Sequence, residues 1–206
     1  MTSKYLFLYH GTNSKNLEEI LDKGISPRYK RESVWKENPS RDDMVYLTNA
    51  YAPYFAQCSV DSEAEKLGRY TEDEAVVFKV KVDVNNLYPD EDFLEQITRH
   101  DKAFDFLAEI YNEYSMEERA SWFKDNLRDY KDNYQNSLKA LGNCCHKGII
   151  KPKDIVKYTV LKFGRILEYS DPTITLENYH ILKDHYRNVC DKVIWSEEYS
   201  KQIVNL

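Results

Sequence analysis

The chain has 206 residues and a formal net charge of −6, with 42% hydrophobic and 31% charged residues. This balance indicates a folded globular protein with a substantial core, and it argues against disorder and against bulk attraction to nucleic acid. No apolar run approaches the roughly 20 residues that a membrane span needs, and the N-terminus lacks a cationic leader, so we expect a cytoplasmic protein with no membrane partner. The four cysteines contain no C-x-x-C pair, which predicts free thiols.

The N-terminal segment predicts a strand followed by a short helix. Residues Tyr5 to Tyr9 are aromatic and aliphatic and predict a buried strand that exits at His10-Gly11-Thr12. Apolar residues then recur at helical spacing, at Leu17, Ile20 and Leu21. Ser14 is the expected N-cap of this helix and Gly24 the expected residue just after its C-terminus.

A long polar loop and a second strand and helix follow. Residues 26–43 predict a loop, and its basic and aromatic part from Arg28 to Lys36 is either a solvated surface or a substrate-facing contact. The segment Met44 to Thr48 predicts a strand, and Asn49 is the expected cap of a helix that carries Tyr51, Tyr54 and Phe55.

The rest of the chain alternates in character. Apolar residues at every second position from Val76 to Val82, alternating with Lys79, Lys81 and Asp83, predict a half-buried strand. Helical periodicity between about 90 and 142 predicts a helical insertion. Strand-like sequence returns in "HKGII" and "IVKYTVLKF", and an extension of about 165–206 carries one strand or loop and a helix over 176–194. Together these patterns predict one α+β domain over 1–206 with a mixed or antiparallel sheet.

Three segments, in this order, resemble the ADP-ribosyltransferase superfamily, in the branch with a His-Tyr-Glu signature typified by poly(ADP-ribose) polymerases and many bacterial and phage toxins. The segments are "YHGTNSKNLEEILDKGI", "VYLTNAYAPYFA" and "CCHKGIIKPKDIVKYTVLKF", supported by the strand "VVFKVKV". The resemblance implies a split sheet whose cleft binds NAD as a substrate, without a Rossmann glycine fingerprint. This chain has no such fingerprint either.

The resemblance also implies roles for five residues. His10 would hydrogen-bond the adenosine-side ribose, and the Gly11 backbone would pair with the nicotinamide amide, where a missing Cβ permits close approach. Thr12 would either cap the following helix or touch a ribose hydroxyl. Tyr46 would stack on the nicotinamide ring, and Tyr54 would close the other side of the site.

The third motif departs from the family pattern, because Cys144, Cys145 or His146 stands where a glutamate is expected. A neutral His146 is able to accept a proton from an acceptor hydroxyl. Alternatively, an acid of the insertion reaches the cleft; the candidates are Glu113, Glu117 and Glu118. The departure also allows a changed reaction, or binding without catalysis.

The expected function is NAD-dependent transfer of ADP-ribose to a macromolecule, a protein more readily than a nucleic acid, as in a bacterial or phage toxin or effector. The alternative is a catalytically silent module that binds NAD or a protein partner, including an inhibitor from a mobile element. RNA 2′-phosphotransferases share the fold, but they call for arginines and a histidine in place of Tyr46. A metal site drawn from Cys144, Cys145 and His146, with His185 or Cys190, is chemically possible, although adjacent Cys-Cys-His is not a usual zinc spacing.

Overall fold

Seven strands and four helices make up the part of the chain that the computed structural model describes, which is residues 4–29, 41–90, 134–162 and 176–206 with Ser115 and Glu118. The strands are β1 (Tyr5–Asn13), β2 (Met44–Thr48), β3 (Ala75–Asp83), β4 (Leu87–Pro89), β5 (Asn143–Lys147), β6 (Ile155–Leu161) and β7 (Ser200–Asn205). The helices are α1 (Leu17–Lys23), α2 (Ala52–Leu67), α3 (Tyr134–Ala140) and α4 (Leu176–Asp191).

The strands form one antiparallel sheet in the order β4-β5-β2-β1-β3-β6-β7. Strand β1 pairs with β3 along its whole length, from Tyr5 opposite Asp83 to Asn13 opposite Ala75. Its pairing with β2 is confined to Tyr9 opposite Thr48. This junction therefore divides the sheet into a first half-sheet, β4-β5-β2, and a second half-sheet, β1-β3-β6-β7. The predicted α+β class with an antiparallel sheet is confirmed.

Helices cover both faces of the sheet. On one face, Ile20 of α1 and Leu138 of α3 pack on a core that includes Leu8, Leu47 and Phe78, and this core runs beneath both half-sheets. On the other face, Ala52, Ala56 and Val60 of α2 pack with Tyr9, Val77, Leu161 and two residues of α4, Val189 and Cys190. The second core covers only one end of β1 and β3, because α2 crosses the sheet near Gly11. Within the described residues, no helix is both long and apolar enough to cross a membrane.

The structure corrects several predictions near the N-terminus. His10, Gly11 and Thr12 lie inside β1 and not at its exit, because ladder pairing with β3 continues to Asn13. Ser14 is not the helix cap, since the Asn13 side chain accepts a hydrogen bond from the Lys15 amide and caps a 3-10 turn that leads into α1. Gly24 ends α1 as predicted, with a φ of 88°.

Further along the chain, the start of α2 and the end of β5 also differ from expectation. Helix α2 begins at Ala52, and Thr48 rather than Asn49 supplies the side-chain acceptor for the amides of Ala50 and Tyr51. Strand β5 ends at Lys147, before "GII", because Gly148 turns the chain with a φ of 79°. Most of the predicted helical insertion lies outside the described residues. The C-terminal segment adds a strand, β7, to the sheet edge.

Candidate functional site

The junction between β1 and β2 exposes backbone groups of β1 toward the first half-sheet. The Ser14 amide donates to the Glu74 carbonyl on the β3 side, and the Lys4 carbonyl accepts from the Val84 amide. Even-numbered residues of β1 therefore direct their amide and carbonyl groups at β3, and odd-numbered residues direct theirs at β2. Since pairing with β2 stops at Tyr9, the N–H and C=O groups of Gly11 face the opening between the half-sheets.

Where the next backbone hydrogen bond between β1 and β2 would lie, the side chain of His10 makes the contact instead. Its Nδ1 lies 3.1 Å from the Tyr46 carbonyl oxygen, which by alternation points toward β1. A carbonyl oxygen only accepts, so Nδ1 carries the proton and the neutral ring presents a lone pair at Nε2. Burial lowers the pKa of His10 below its ordinary value, with the bond to Tyr46 opposing that shift. The ring is thus neutral at pH 7, with Nε2 able to accept a hydrogen bond from a hydroxyl.

Gly11 is required by the neighbouring helix. A Cβ on Gly11 would lie 2.1 Å from the Ala52 carbonyl oxygen and 2.6 Å from the Ala56 nitrogen, both backbone atoms of α2. No side-chain rotation relieves such contacts. The missing Cβ therefore serves the close crossing of α2 over β1, while the peptide groups of the same residue face the opening.

Thr12 is buried, and its Oγ1 accepts a hydrogen bond of 3.0 Å from the Asn16 side chain. Asn13 has both ends of its amide engaged, accepting from the Lys15 amide and donating to Asp73 at 3.0 Å. These two residues fix the end of β1. The capping role falls to Asn13, and the local signal for it was an Asn directly before a helix start.

The Tyr46 carbonyl lies at the junction between β1 and β2, and the Tyr46 hydroxyl contacts the segment just before β2. The hydroxyl accepts a hydrogen bond of 2.8 Å from the Arg41 amide. Strand alternation directs the Tyr46 ring to the sheet face opposite the His10 side chain. The His10 ring therefore contacts the Tyr46 carbonyl and not the Tyr46 ring. The Tyr29 amide donates a hydrogen bond of 2.5 Å to the Asp42 carbonyl, so the two ends of the predicted loop lie close together. Residues 30–40 lie outside the described part, so of the predicted contact loop only Arg28 and Tyr29 are placed.

Tyr54 lies on another side of α2 from the residues that pack on β1. At 3.6 residues per turn, it is about 160° around the helix from the middle of the stripe formed by Ala52, Ala56 and Val60. Its ring packs against Phe55, with centroids 5.6 Å apart. Burial, followed by a hydrogen bond with Cys58, raises the pKa of Tyr54 to about 12, so the phenol stays protonated. The structure does not bring Tyr54 next to His10.

The third motif forms the middle of β5, between β2 and β4. Cys144 and Cys145 are fully buried and point to opposite faces, as adjacent strand residues do. His146 is buried opposite Val45 and Leu87, and its Nδ1 lies 3.2 Å from the Gly148 carbonyl oxygen. Burial lowers the pKa of His146, so its ring is neutral as well. Strand spacing places its Cα at least about 12 Å from that of His10, on the same face of the sheet.

Other candidate groups are placed only in part. Glu118 is exposed and exchanges hydrogen bonds with Ser115, while Glu113 and Glu117 lie outside the described residues. All four cysteines are free thiols. Across the described ranges, no three His, Cys, Asp or Glu side chains gather in a geometry that would hold a metal ion.

Comparisons with known proteins were made by sequence and by structure. No family model matches the chain, and no curated protein matches it. Among solved structures, the chain is similar to one titled EcPltA, with 14% sequence identity over 77% of each chain and a TM-score of 0.38.

Proposed function

We propose that this protein is an NAD-dependent ADP-ribosyltransferase that binds NAD at the junction between β1 and β2. The observation that carries the proposal is the direction of the Gly11 peptide groups, which face the opening between the half-sheets beside a neutral His10. The sequence resemblance assigns these same two residues to the nicotinamide amide and to a ribose. The N–H and C=O groups of one residue suit a carboxamide, which carries a carbonyl acceptor and an amino group that donates.

In the proposed mechanism, His10 orients the substrate while the strand framework stays fixed. Its Nδ1–H donates to the Tyr46 carbonyl, so Nε2 has a fixed direction from which to accept a hydrogen bond from a ribose hydroxyl. The Tyr46 ring, on the opposite face of the sheet from His10, is the proposed aromatic wall beside the nicotinamide ring, and its hydroxyl accepts a hydrogen bond from the Arg41 amide. Such orientation favours cleavage of the glycosidic bond through an oxocarbenium-like state. His146 is the proposed base toward an acceptor hydroxyl, in a protein more readily than in a nucleic acid.

One observation favours a second function, NAD binding without transfer. The segment Asn143–Lys147 contains no aspartate or glutamate, so β5 offers no anion to stabilise the cationic transition state. In that case the same junction would hold NAD, or a protein partner, without releasing nicotinamide.

The test is to compare NAD binding, nicotinamide release and labelling of a cell lysate across matched variants. His10→Asn keeps a donor able to reach the Tyr46 carbonyl and removes Nε2, so we expect it to fold and to bind NAD about 3- to 10-fold more weakly. His185→Ala removes an exposed histidine of α4 and is the control that keeps wild-type binding. His146→Gln separates the two functions, because it should abolish transfer and keep NAD binding. Absence of NAD binding in the wild-type protein would overturn both.

A further inference from the structure

One end of the second half-sheet carries an exposed face of lysine and aromatic side chains that α2 and α4 leave uncovered. On β1, Tyr5 and Phe7 are 42% and 53% exposed. They lie beside lysines of the adjoining strands on the same face, and a tryptophan borders them. We define the lysine–aromatic face by Tyr5, Phe7, Lys79, Lys81, Lys157 and Trp195.

Each lysine ammonium lies within 6 Å of the centroid of a neighbouring ring. The Lys81 ammonium is 4.6 Å from the Tyr5 ring centroid, and the Lys79 ammonium is 5.6 Å from that of Phe7. Lys157 lies 3.8 Å from the centroid of Trp195. Each ring thus has an ammonium group beside an accessible apolar surface, a combination of positive charge and planar stacking area.

This arrangement carries an electrostatic cost within the protein. Lys79 and Lys157 are directly opposite on neighbouring strands, where like charges destabilise a sheet. Among the described residues, neither of these lysines nor Lys81 forms a salt bridge, whereas Lys4 at the border is paired with Asp83. Burial, and then the charge of Lys79, lowers the pKa of Lys157. A bound polyanion would neutralise this repulsion.

We propose that the lysine–aromatic face binds single-stranded nucleic acid. The chain as a whole has a net charge of −6, so the positive charge of this face is a local feature of the surface. Phosphates suit the ammonium groups, and bases suit the exposed rings, which stack on any base. An acidic peptide would satisfy the charges but would leave the exposed faces of Tyr5 and Phe7 without planar partners. This inference is independent of NAD binding, since the face lies on β1, β3 and β6, away from the junction with β2.

The test is fluorescence anisotropy of labelled oligothymidylate and oligouridylate of about 12 nucleotides with the full chain. We expect binding of about 1–100 µM that weakens steeply between about 50 and 200 mM salt. Phe7→Val keeps a strand-forming residue and should weaken binding about 5-fold or more, whereas Tyr70→Val, at a fully exposed site off this face, should not. Lys79→Gln should reduce the salt slope by about 0.7, and Lys23→Gln on α1 should leave it unchanged.

Three results would overturn the proposal. The first is the absence of oligonucleotide binding at low salt. The second is that Phe7→Val and Tyr70→Val change the affinity equally. The third is that oligoglutamate binds as tightly as the oligonucleotides and that Phe7→Val does not weaken its binding. Thermal melts verify that each variant is folded. His10→Asn should keep oligonucleotide binding while weakening NAD binding, so failure at one site is distinguishable from failure at the other.

Discussion

Substituting Gly11 by alanine tests whether α2 crosses β1 as closely as the structure shows. Gly11 lies in an extended strand, where alanine alone would be acceptable or slightly favourable. The new Cβ would lie 2.1 Å from the Ala52 carbonyl oxygen, so α2 must withdraw by about 1 Å to reach ordinary contact. Such overpacking against backbone costs about 2–3 kcal/mol in the free energy of unfolding.

For a chain of this length, that cost corresponds to a Tm about 4–12 °C lower, measured by circular dichroism. The matched control is Gly68→Ala, where nothing lies within 4 Å and only the φ of 61° opposes alanine, for about 1 kcal/mol. A Gly11→Ala variant that is as stable as the wild type, yet no longer binds NAD, would refute the packing argument and leave ligand approach as the reason for glycine.

Three further changes should have measurable effects. Thr48→Ala removes the hydroxyl that accepts hydrogen bonds from the Ala50 and Tyr51 amides and donates one to the Gly142 carbonyl. The free energy of unfolding, measured in urea, should fall by about 2–3 kcal/mol, whereas Thr48→Ser should stay close to wild type. Tyr46→Phe leaves the Arg41 amide without its acceptor and should cost about 1 kcal/mol in the same assay, an unchanged midpoint counting against that bond. Burial depresses the folded-state pKa of His10 and of His146, so the unfolded chain binds more protons below its histidine pKa of about 6.5. Stability should therefore be complete above about pH 6.5 and fall as the pH drops below it, and His10→Asn with His146→Gln should flatten the urea midpoints measured between pH 7.5 and 5.5.

Local sequence patterns predicted the helices and strands whose formation depends on residues close together in the sequence. The alternation from Val76 to Val82 forms β3, and the apolar stripe before Gly24 forms α1. The extent of β1 was not predictable in this way, because His10 to Asn13 are held in a strand by partners on β3 more than 60 residues away. Strand β7 is polar and pairs at the edge of β6, so it lacks an apolar pattern to mark it.

The site shows the same limit. The sequence predicted His10 and Gly11 through resemblance, but the direction of the Gly11 peptide groups depends on the register between β1 and β3. The lysine–aromatic face had a visible signal, the aromatic alternation of Tyr5, Phe7 and Tyr9 together with the charged alternation of Lys79 and Lys81. Only the pairing of β1 with β3 shows that these two alternations share one face.

The division of the sheet at Tyr9 and Thr48 has a consequence for how the chain folds. Along the sequence, the strands fall alternately in the second half-sheet (β1), the first (β2), the second (β3), the first (β4 and β5) and the second again (β6 and β7). Two of the segments that connect the half-sheets also bond to each other, through reciprocal hydrogen bonds between Ile25 and Ile150. Neither half-sheet is a continuous piece of chain, so no truncation isolates one of them. The halves must form and unfold together, which makes a single slow cooperative transition the expected behaviour.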